Sequence, residues 1–142
     1  MLSVTADHAL RALLVLGRHY GQRPVRADEI ADATGAPRNY LAKTLNVLAK
    51  ARLVDSARGP FGGFVLAIPP ERLTLDRVVD LFDEPRAQSK CMLGTAPCDP
   101  QRPCAAHLRW TAITNARRAP LCTTSIADLL GDTRQRDSPA AA

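Results

Sequence analysis

From Thr5 to about Tyr20 the apolar residues Ala6, Leu10, Leu13 and Leu14 fall at i, i+4, i+7 and i+8, a spacing that lines one face of an α-helix. Gly21-Gln22-Arg23-Pro24 breaks the pattern. A short second helix is predicted from about Ala27, with Gly35 as its C-terminal stop. Pro37 suits the first turn of a third helix, where its missing N–H would have had no partner. Leu41, Leu45 and Leu48 give that helix one apolar stripe, while Arg38, Asn39, Lys43 and Asn46 lie off it. A short helix, a tight turn and a helix with a polar outer face form the helix-turn-helix pattern.

The period then changes. Leu53-Val54 and Phe64-Val65-Leu66 are short strand-like runs around the glycine-rich tip Arg58-Gly59-Pro60-Phe61-Gly62-Gly63. Gly62 and Gly63 let the backbone turn sharply and approach a phosphate chain, and Arg58 is placed to enter a minor groove. A helix-turn-helix followed at once by a basic-tipped hairpin is a winged helix. Thr74 is positioned as an N-cap for Leu75, Val78, Val79 and Phe82, a helical stripe that Pro85 ends. From residue 86 to 104 the chain has no period and carries three cysteines among prolines. A long helix is predicted from about Cys104 through Leu108, Ala112 and Arg117, stopped or kinked at Pro120. Thr124 or Ser125 caps a last short helix over Ile126 to Leu130, before a small, polar tail expected to be disordered. The fold class is therefore mainly α: a winged helix-turn-helix with an α+β wing hairpin and a long C-terminal helix. The expected divisions are 1–85 (winged domain), 86–104 (cysteine loop), 105–131 (long and terminal helices) and 132–142 (tail).

Composition narrows the class. The chain has 142 residues, 46% of them apolar, enough for one modest core. The N-terminus lacks the basic and apolar signature of a signal peptide, and the longest apolar run, Ala12 to Gly17, is far too short to span a bilayer. A cytoplasmic location is expected, where four cysteines favour metal ligation or redox sensing over structural disulfides. The net charge is +5, and its distribution is uneven: ten basic residues against six acidic up to Arg72, nine against eight thereafter. Between Thr34 and Pro60, Arg38, Lys43, Lys50, Arg52 and Arg58 face the single acid Asp55. A phosphate-binding surface needs such a local excess, although a solvated face shows it too.

Cys91 and Cys98 enclose six residues, Cys98 and Cys104 five, and His107 follows Cys104 by three, so both could face one point from the start of a helix. The close Cys-x2-Cys pairs usual for zinc are absent. Soft thiolates suit an iron–sulfur cluster or zinc, and spacing alone leaves both open. No oxyanion-hole signature, phosphate cradle or paired-carboxylate motif accompanies Cys91 or Cys122, so an enzyme is not expected. Cys122 reads as a small buried residue, Trp110 as a packing residue, and His8 and His19 have no visible partners.

The run from Asn39 to Phe64, with Asn39-Tyr40-Leu41-Ala42-Lys43 at its start and Arg58-Gly59-Pro60-Phe61-Gly62-Gly63 near its end, resembles the recognition helix and wing of the IscR/NsrR (BadM-type) family of bacterial winged-helix iron–sulfur regulators. Thr5-Ala6-Asp7-His8-Ala9-Leu10-Arg11-Ala12-Leu13 resembles that family's first helix, and the likeness extends over roughly Met1 to Leu130. The resemblance implies a transcription regulator, a repressor by expectation, that binds a double-stranded DNA operator as a homodimer paired through the long helix. It implies that Cys91, Cys98 and Cys104 hold an iron–sulfur cluster sensing iron–sulfur status, nitric oxide or redox stress. The fourth ligand is His107, in the manner of IscR-like members, or Asp7, in the manner of NsrR-like ones. His107 argues for [2Fe–2S] and Asp7 for [4Fe–4S], and the former is favoured. Arg38, Asn39, Tyr40 and Lys43 are the expected base or phosphate contacts, with Arg58, Gly62 and Gly63 from the wing. A zinc-based or thiol–disulfide repressor of the same fold is the alternative. The six-residue first spacer and Pro120 within the expected pairing helix depart from the family pattern.

Overall fold

A computed structural model describes residues 2–83, Asp99 and 101–137, with side chains as far as Asp132. Helix α1 (Val4–Arg18) is N-capped by Ser3, whose hydroxyl accepts the Ala6 N–H at 3.1 Å. Its buried face, Ala6, Ala9, Leu10, Ala12, Leu13 and Leu16, forms the spine of the core. Helix α2 (Ala27–Thr34) closes on Gly35, which adopts φ +69° and donates its N–H to Ala31 at 2.9 Å. A left-handed closure of this kind is what glycine permits at low cost. Pro37 caps helix α3 (Arg38–Lys50), one position earlier than expected, and its carbonyl accepts the N–H groups of Tyr40 and Leu41. Leu41, Thr44, Leu45 and Leu48 of α3 are buried against α1 and α2.

Helix α3 ends differently from α2. Arg52 takes φ +57°, the Arg52 N–H donates to Ala49 at 3.0 Å and the Leu53 N–H to Leu48 at 3.0 Å. This is a Schellman closure built on arginine instead of glycine. Strands β1 (Val54–Ala57) and β2 (Gly63–Leu66) then pair antiparallel, Val54 opposite Leu66 and Ala57 opposite Gly63. Val25 adds a bridge on the far side of β2, exchanging hydrogen bonds with Phe64 at 2.9 and 2.8 Å. The hairpin is thereby attached to the segment that leads into α2.

A 3-10 turn (Pro70–Arg72) leads to α4 (Leu75–Phe82), then α5 (Ala105–Thr123) and α6 (Ile126–Asp137). The α5–α6 joint is stitched to the start of α4: the Leu75 N–H donates to Thr124 and the Ile126 N–H to Leu73. Ser125 and Asp128 cap α6 reciprocally, at 2.7 to 3.1 Å. Ile126 is fully buried, and α6 lies so close on α1 that a Cβ at Gly17 would sit 2.9 Å from Leu130 Cδ1.

Two expectations are corrected. Pro120 does not stop α5; the helix runs through it to Thr123. Ala116, whose carbonyl loses the proline donor, is exposed, so water can replace the missing bond, and Thr123 Oγ1 donates to Ala119 to close the last turn. Helix α6 passes Leu130 and Gly131 and reaches Asp137, held by its cap and by its packing on α1. Among the described residues no helix is long and apolar enough to cross a membrane.

Candidate nucleic-acid interface and cysteine segment

All five basic residues between Thr34 and Pro60 are exposed: Arg38 and Lys43 on the outer face of α3, Lys50 and Arg52 at its end, Arg58 at the wing. Asn39 and Asn46 share the outward face of α3. Burial of the leucine stripe forces this arrangement, because residues three and four apart stack on one side of a helix and leave the other side to water. Arg38 is steered by two acids that no sequence pattern marked. Its guanidinium lies 3.2 Å from Asp28 and 3.9 Å from Asp32, one turn apart on α2. Such exposed pairs add little stability, but they fix the direction of a long side chain at the start of α3.

Tyr40 faces inward instead. Its hydroxyl hydrogen-bonds Thr5 Oγ1 of α1, and its ring meets the His8 ring edge-on at 5.7 Å between centroids. It therefore docks the start of α3 on α1 while its neighbours Arg38, Asn39 and Lys43 face outward. His8, without visible partners in the sequence, finds one here.

Gly62 and Gly63 also have a local reason to be glycine. A Cβ on Gly62 would lie 2.3 Å from the Ala57 carbonyl oxygen, and one on Gly63 would lie 2.5 Å from the Val25 carbonyl oxygen. Backbone occupies both places, so no side chain can yield. The wing tip itself is a β-turn, Gly59 to Gly62, closed by the Gly62 N–H to the Gly59 carbonyl at 2.9 Å. Arg26, the residue preceding α2, reaches across and donates to the Pro60 carbonyl at 3.1 Å. Arg23 and Glu29 pair beside it at 2.8 Å. That contact raises the guanidinium pKa and holds the Glu29 carboxyl below its ordinary range.

The cysteine segment is seen at its two ends. Asp83, just after α4, accepts the Ser3 N–H on both carboxylate oxygens, at 3.2 and 3.3 Å, and so ties the start of the segment to the start of α1. Asp99 accepts the Gln101 N–H at 2.8 Å in a turn that delivers the chain to Cys104. Cys104 is an exposed thiol at the N-cap of α5, and His107 is half-buried in the first turn. Asp7 is on α1, where it pairs with Arg11 at 2.9 Å. Cys91 and Cys98 lie outside the described residues. Among the described residues no three His, Cys, Asp or Glu side chains come together as a metal site requires.

Cys122 is exposed, contrary to the expectation of a buried small residue, because α5 buries none of its side chains. Its thiol is raised above the ordinary range, by partial desolvation first and then by the hydrogen bond it donates to Asp76. Burial works to raise the Asp76 carboxyl, but hydrogen bonds from Thr74, Cys122 and the Arg77 backbone outweigh it and keep it low. Arg118 pairs with Asp80 alongside, through both nitrogens, at 2.8 and 2.5 Å.

Comparison with known proteins places this architecture. The family model described as the Rrf2 iron-dependent transcriptional regulator matches residues 2–132. The HTH-type transcriptional regulator IscR of Aliivibrio salmonicida is 30% identical over 131 residues, 92% of this chain and 77% of that protein. The solved structure of T. potens IscR superposes with a TM-score of 0.82 at 24% identity, covering 99% of this chain and 93% of that one. CymR, the global cysteine regulator of B. subtilis, superposes with a TM-score of 0.79 at 23% identity, covering 93% and 97%. The match takes in the helix-turn-helix, the wing and the cysteine segment together: the chain belongs to the Rrf2 family and is a DNA-binding transcriptional regulator, not an enzyme.

Proposed function

We propose that the chain is a homodimeric regulator, acting as a repressor, whose operator affinity is set by an iron–sulfur cluster held by Cys91, Cys98 and Cys104. The observation that carries this reading is the family match itself, described as iron-dependent and running from 2 to 132 through all three cysteines. The donor chemistry fits such a group. Cys104 presents a solvent-accessible thiol at the start of α5, where the exposed N–H groups of a helix favour an anionic centre, with His107 in the same turn. His107, or Asp7 once released from Arg11, completes the set. A nitrogen donor favours [2Fe–2S] and the carboxylate [4Fe–4S], and His107 with [2Fe–2S] is the preferred pair. When bound, the cluster supplies a centre that reacts with nitric oxide and oxidants.

This chain's residues supply the rest. Residues 1–85 bind DNA, 86–104 hold the ligands, and 105–131 pair the two copies. Leu108 and Ile113 of α5 are 61% and 55% exposed, apolar side chains left in water that a second copy of the chain would cover. Paired copies set two recognition helices about 34 Å apart, one turn of duplex. Arg38, Asn39 and Lys43 then reach base edges and phosphates, and Arg58 the flanking minor groove. The cysteine segment joins α4 to α5 directly and is tied to α1 through Asp83 and Ser3. A change of restraint on that segment therefore acts on the pairing helix and on the helix that seats α3. A coupling of ~1–3 kcal/mol between the two sites is the ordinary scale for such a device.

Anaerobic purification with visible and electron-paramagnetic-resonance spectra, plus iron and zinc analysis, tests the centre. Cys98→Ala tests its role: the variant should lose the visible absorption and its operator affinity should shift by roughly 5- to 150-fold. Binding indistinguishable from the cluster-loaded wild type would remove the cluster from regulation, and colourless, zinc-containing protein would replace it with zinc.

A further inference from the structure

The tip of the wing carries a feature that charge does not explain. Phe61 is 90% exposed, the highest figure among the large apolar side chains described. It occupies the third position of the Gly59–Gly62 turn, and that turn is fixed from three directions. Pro60 restricts the backbone before Phe61, and the Gly62 N–H closes the turn on Gly59. Arg26, just before α2, holds the Pro60 carbonyl. Gly62 and Gly63 are pressed against the carbonyls of Ala57 and Val25. The ring is thus held out in water at the apex of a rigid projection, with Arg58 and Arg26 close to it in the chain or in space. Glu29 lines a recess beside the ring together with Arg23, Arg26 and Pro60, and is already paired with Arg23.

We propose that Phe61 is a DNA wedge: the wing carries its ring into the minor groove against the base step beside Arg58, and the regulator thereby selects a deformable step at that position. The inference rests on the reading of the hairpin as a DNA-entering wing and adds a residue to it. The arginines bring the apex to the phosphates, which attract charge and offer nothing to a phenyl ring. The ring gains only by leaving water for the sugar walls of the groove or the face of a base. Apolar side chains that enter the minor groove do so by prising a base step open, and the cost is least at the flexible pyrimidine–purine steps TA and CA. A rigid turn loses little freedom on insertion, so the contact keeps most of its gain.

The test uses full-length protein purified anaerobically and a random-sequence duplex library, with Phe61→Ala and Phe61→Leu beside the wild type. Because the side chain is exposed, all three should melt together. The wild type should enrich sites with TA or CA at a fixed offset outside the recognition-helix contacts. Phe61→Ala should keep the inner sequence, lose that flanking preference and bind the wild-type site roughly tenfold more weakly. Phe61→Leu should retain most of both. Replacing the flanking step by a stiff A-tract should lower wild-type affinity to the level of Phe61→Ala. Identical enrichment and affinity for wild type and Phe61→Ala would overturn the wedge while leaving the regulator reading intact. The wedge would stay overturned even if Phe61→Ala lost repression in cells, since the ring would then serve a protein partner. Enrichment of no sequence by any of the three would sink the DNA reading of the wing and the wedge with it.

Discussion

Gly63→Ala separates two reasons for a glycine in a DNA-binding wing. If Gly63 is there to let a phosphate approach, alanine should weaken binding and leave stability alone. The structure supplies a second reason, packing, which predicts a loss of stability as well. A Cβ at Gly63 would stand 2.5 Å from the Val25 carbonyl oxygen and 2.7 Å from its carbon, both backbone atoms. Room is made only by opening the Val25–Phe64 bridge, with its two hydrogen bonds of 2.9 and 2.8 Å. Each is worth about 1 kcal/mol net. Holding alanine at the present φ of +158° adds on the order of 1 kcal/mol. The loss should therefore be about 2–4 kcal/mol, a large share of the 5–15 kcal/mol that holds an ordinary domain together. In urea the midpoint should fall by roughly 1–2 M, for a slope near 2 kcal/mol per molar. Gly59→Ala is the control: its φ is +108°, but nothing lies within 4 Å of its added Cβ, so only backbone strain is paid. Its midpoint should fall by less than half as much. An unchanged midpoint for Gly63→Ala, with weakened DNA binding, would refute the packing argument and put the glycine against the duplex.

Arg52→Gly should raise stability by roughly 0.5–1 kcal/mol, since it removes a left-handed arginine from the Schellman closure of α3 and adds only glycine's entropy; a lower urea midpoint would contradict this. Hydrogen bonds from the Ser125 backbone, and then from its hydroxyl, hold the Asp128 carboxyl below its ordinary range. A depressed folded value means stability that is complete above the unfolded pKa near 4 and lost as pH falls through the folded one. Asp128→Asn should therefore lower the midpoint at pH 7 and converge on wild type in acid, and a constant offset would refute the assignment. Ile113→Glu should leave the monomer folded, because α5 buries none of its side chains, yet abolish self-association in sedimentation. A dimer unchanged by that substitution would place the pairing surface elsewhere.

The periods of the sequence located helices α1 to α4 and placed a hairpin after α3, because local spacing alone decides which side of a helix is apolar. The outward set Arg38, Asn39, Lys43 and Arg58 was legible for the same reason. Strand β1 runs three residues beyond the Leu53-Val54 pair that marked it, through Asp55, Ser56 and Ala57, which join the strand by pairing with Val65, Phe64 and Gly63. What escaped depends on partners far along the chain. Tyr40 reads as one more polar residue of α3 until Thr5 and His8, more than thirty residues earlier, turn it inward. Asp28 and Asp32 form an ordinary acidic face until α3 folds back and brings Arg38 to them. Gly63 carries a turn signal, but the Val25 carbonyl that obstructs it is nearly forty residues away. Pro120 misled because the rule against proline inside a helix assumes a carbonyl with no other donor, and on a helix as exposed as α5 water is at hand. The one signal available for the Arg26 brace was a basic residue just before a helix, which by itself points nowhere.

The wing is bolted to the helix-turn-helix at two points, the Val25–Phe64 bridge and the Arg26–Pro60 contact, so hairpin and α3 move as one body. In the proposed complex such a body is a ruler: the interval between the bases read in the major groove and the step met by the wing would be set by protein geometry. Inserting a single base pair into that interval would rotate the outer step by about 35° and carry it out of phase. Operators for this regulator should tolerate changes of letter there far better than changes of length.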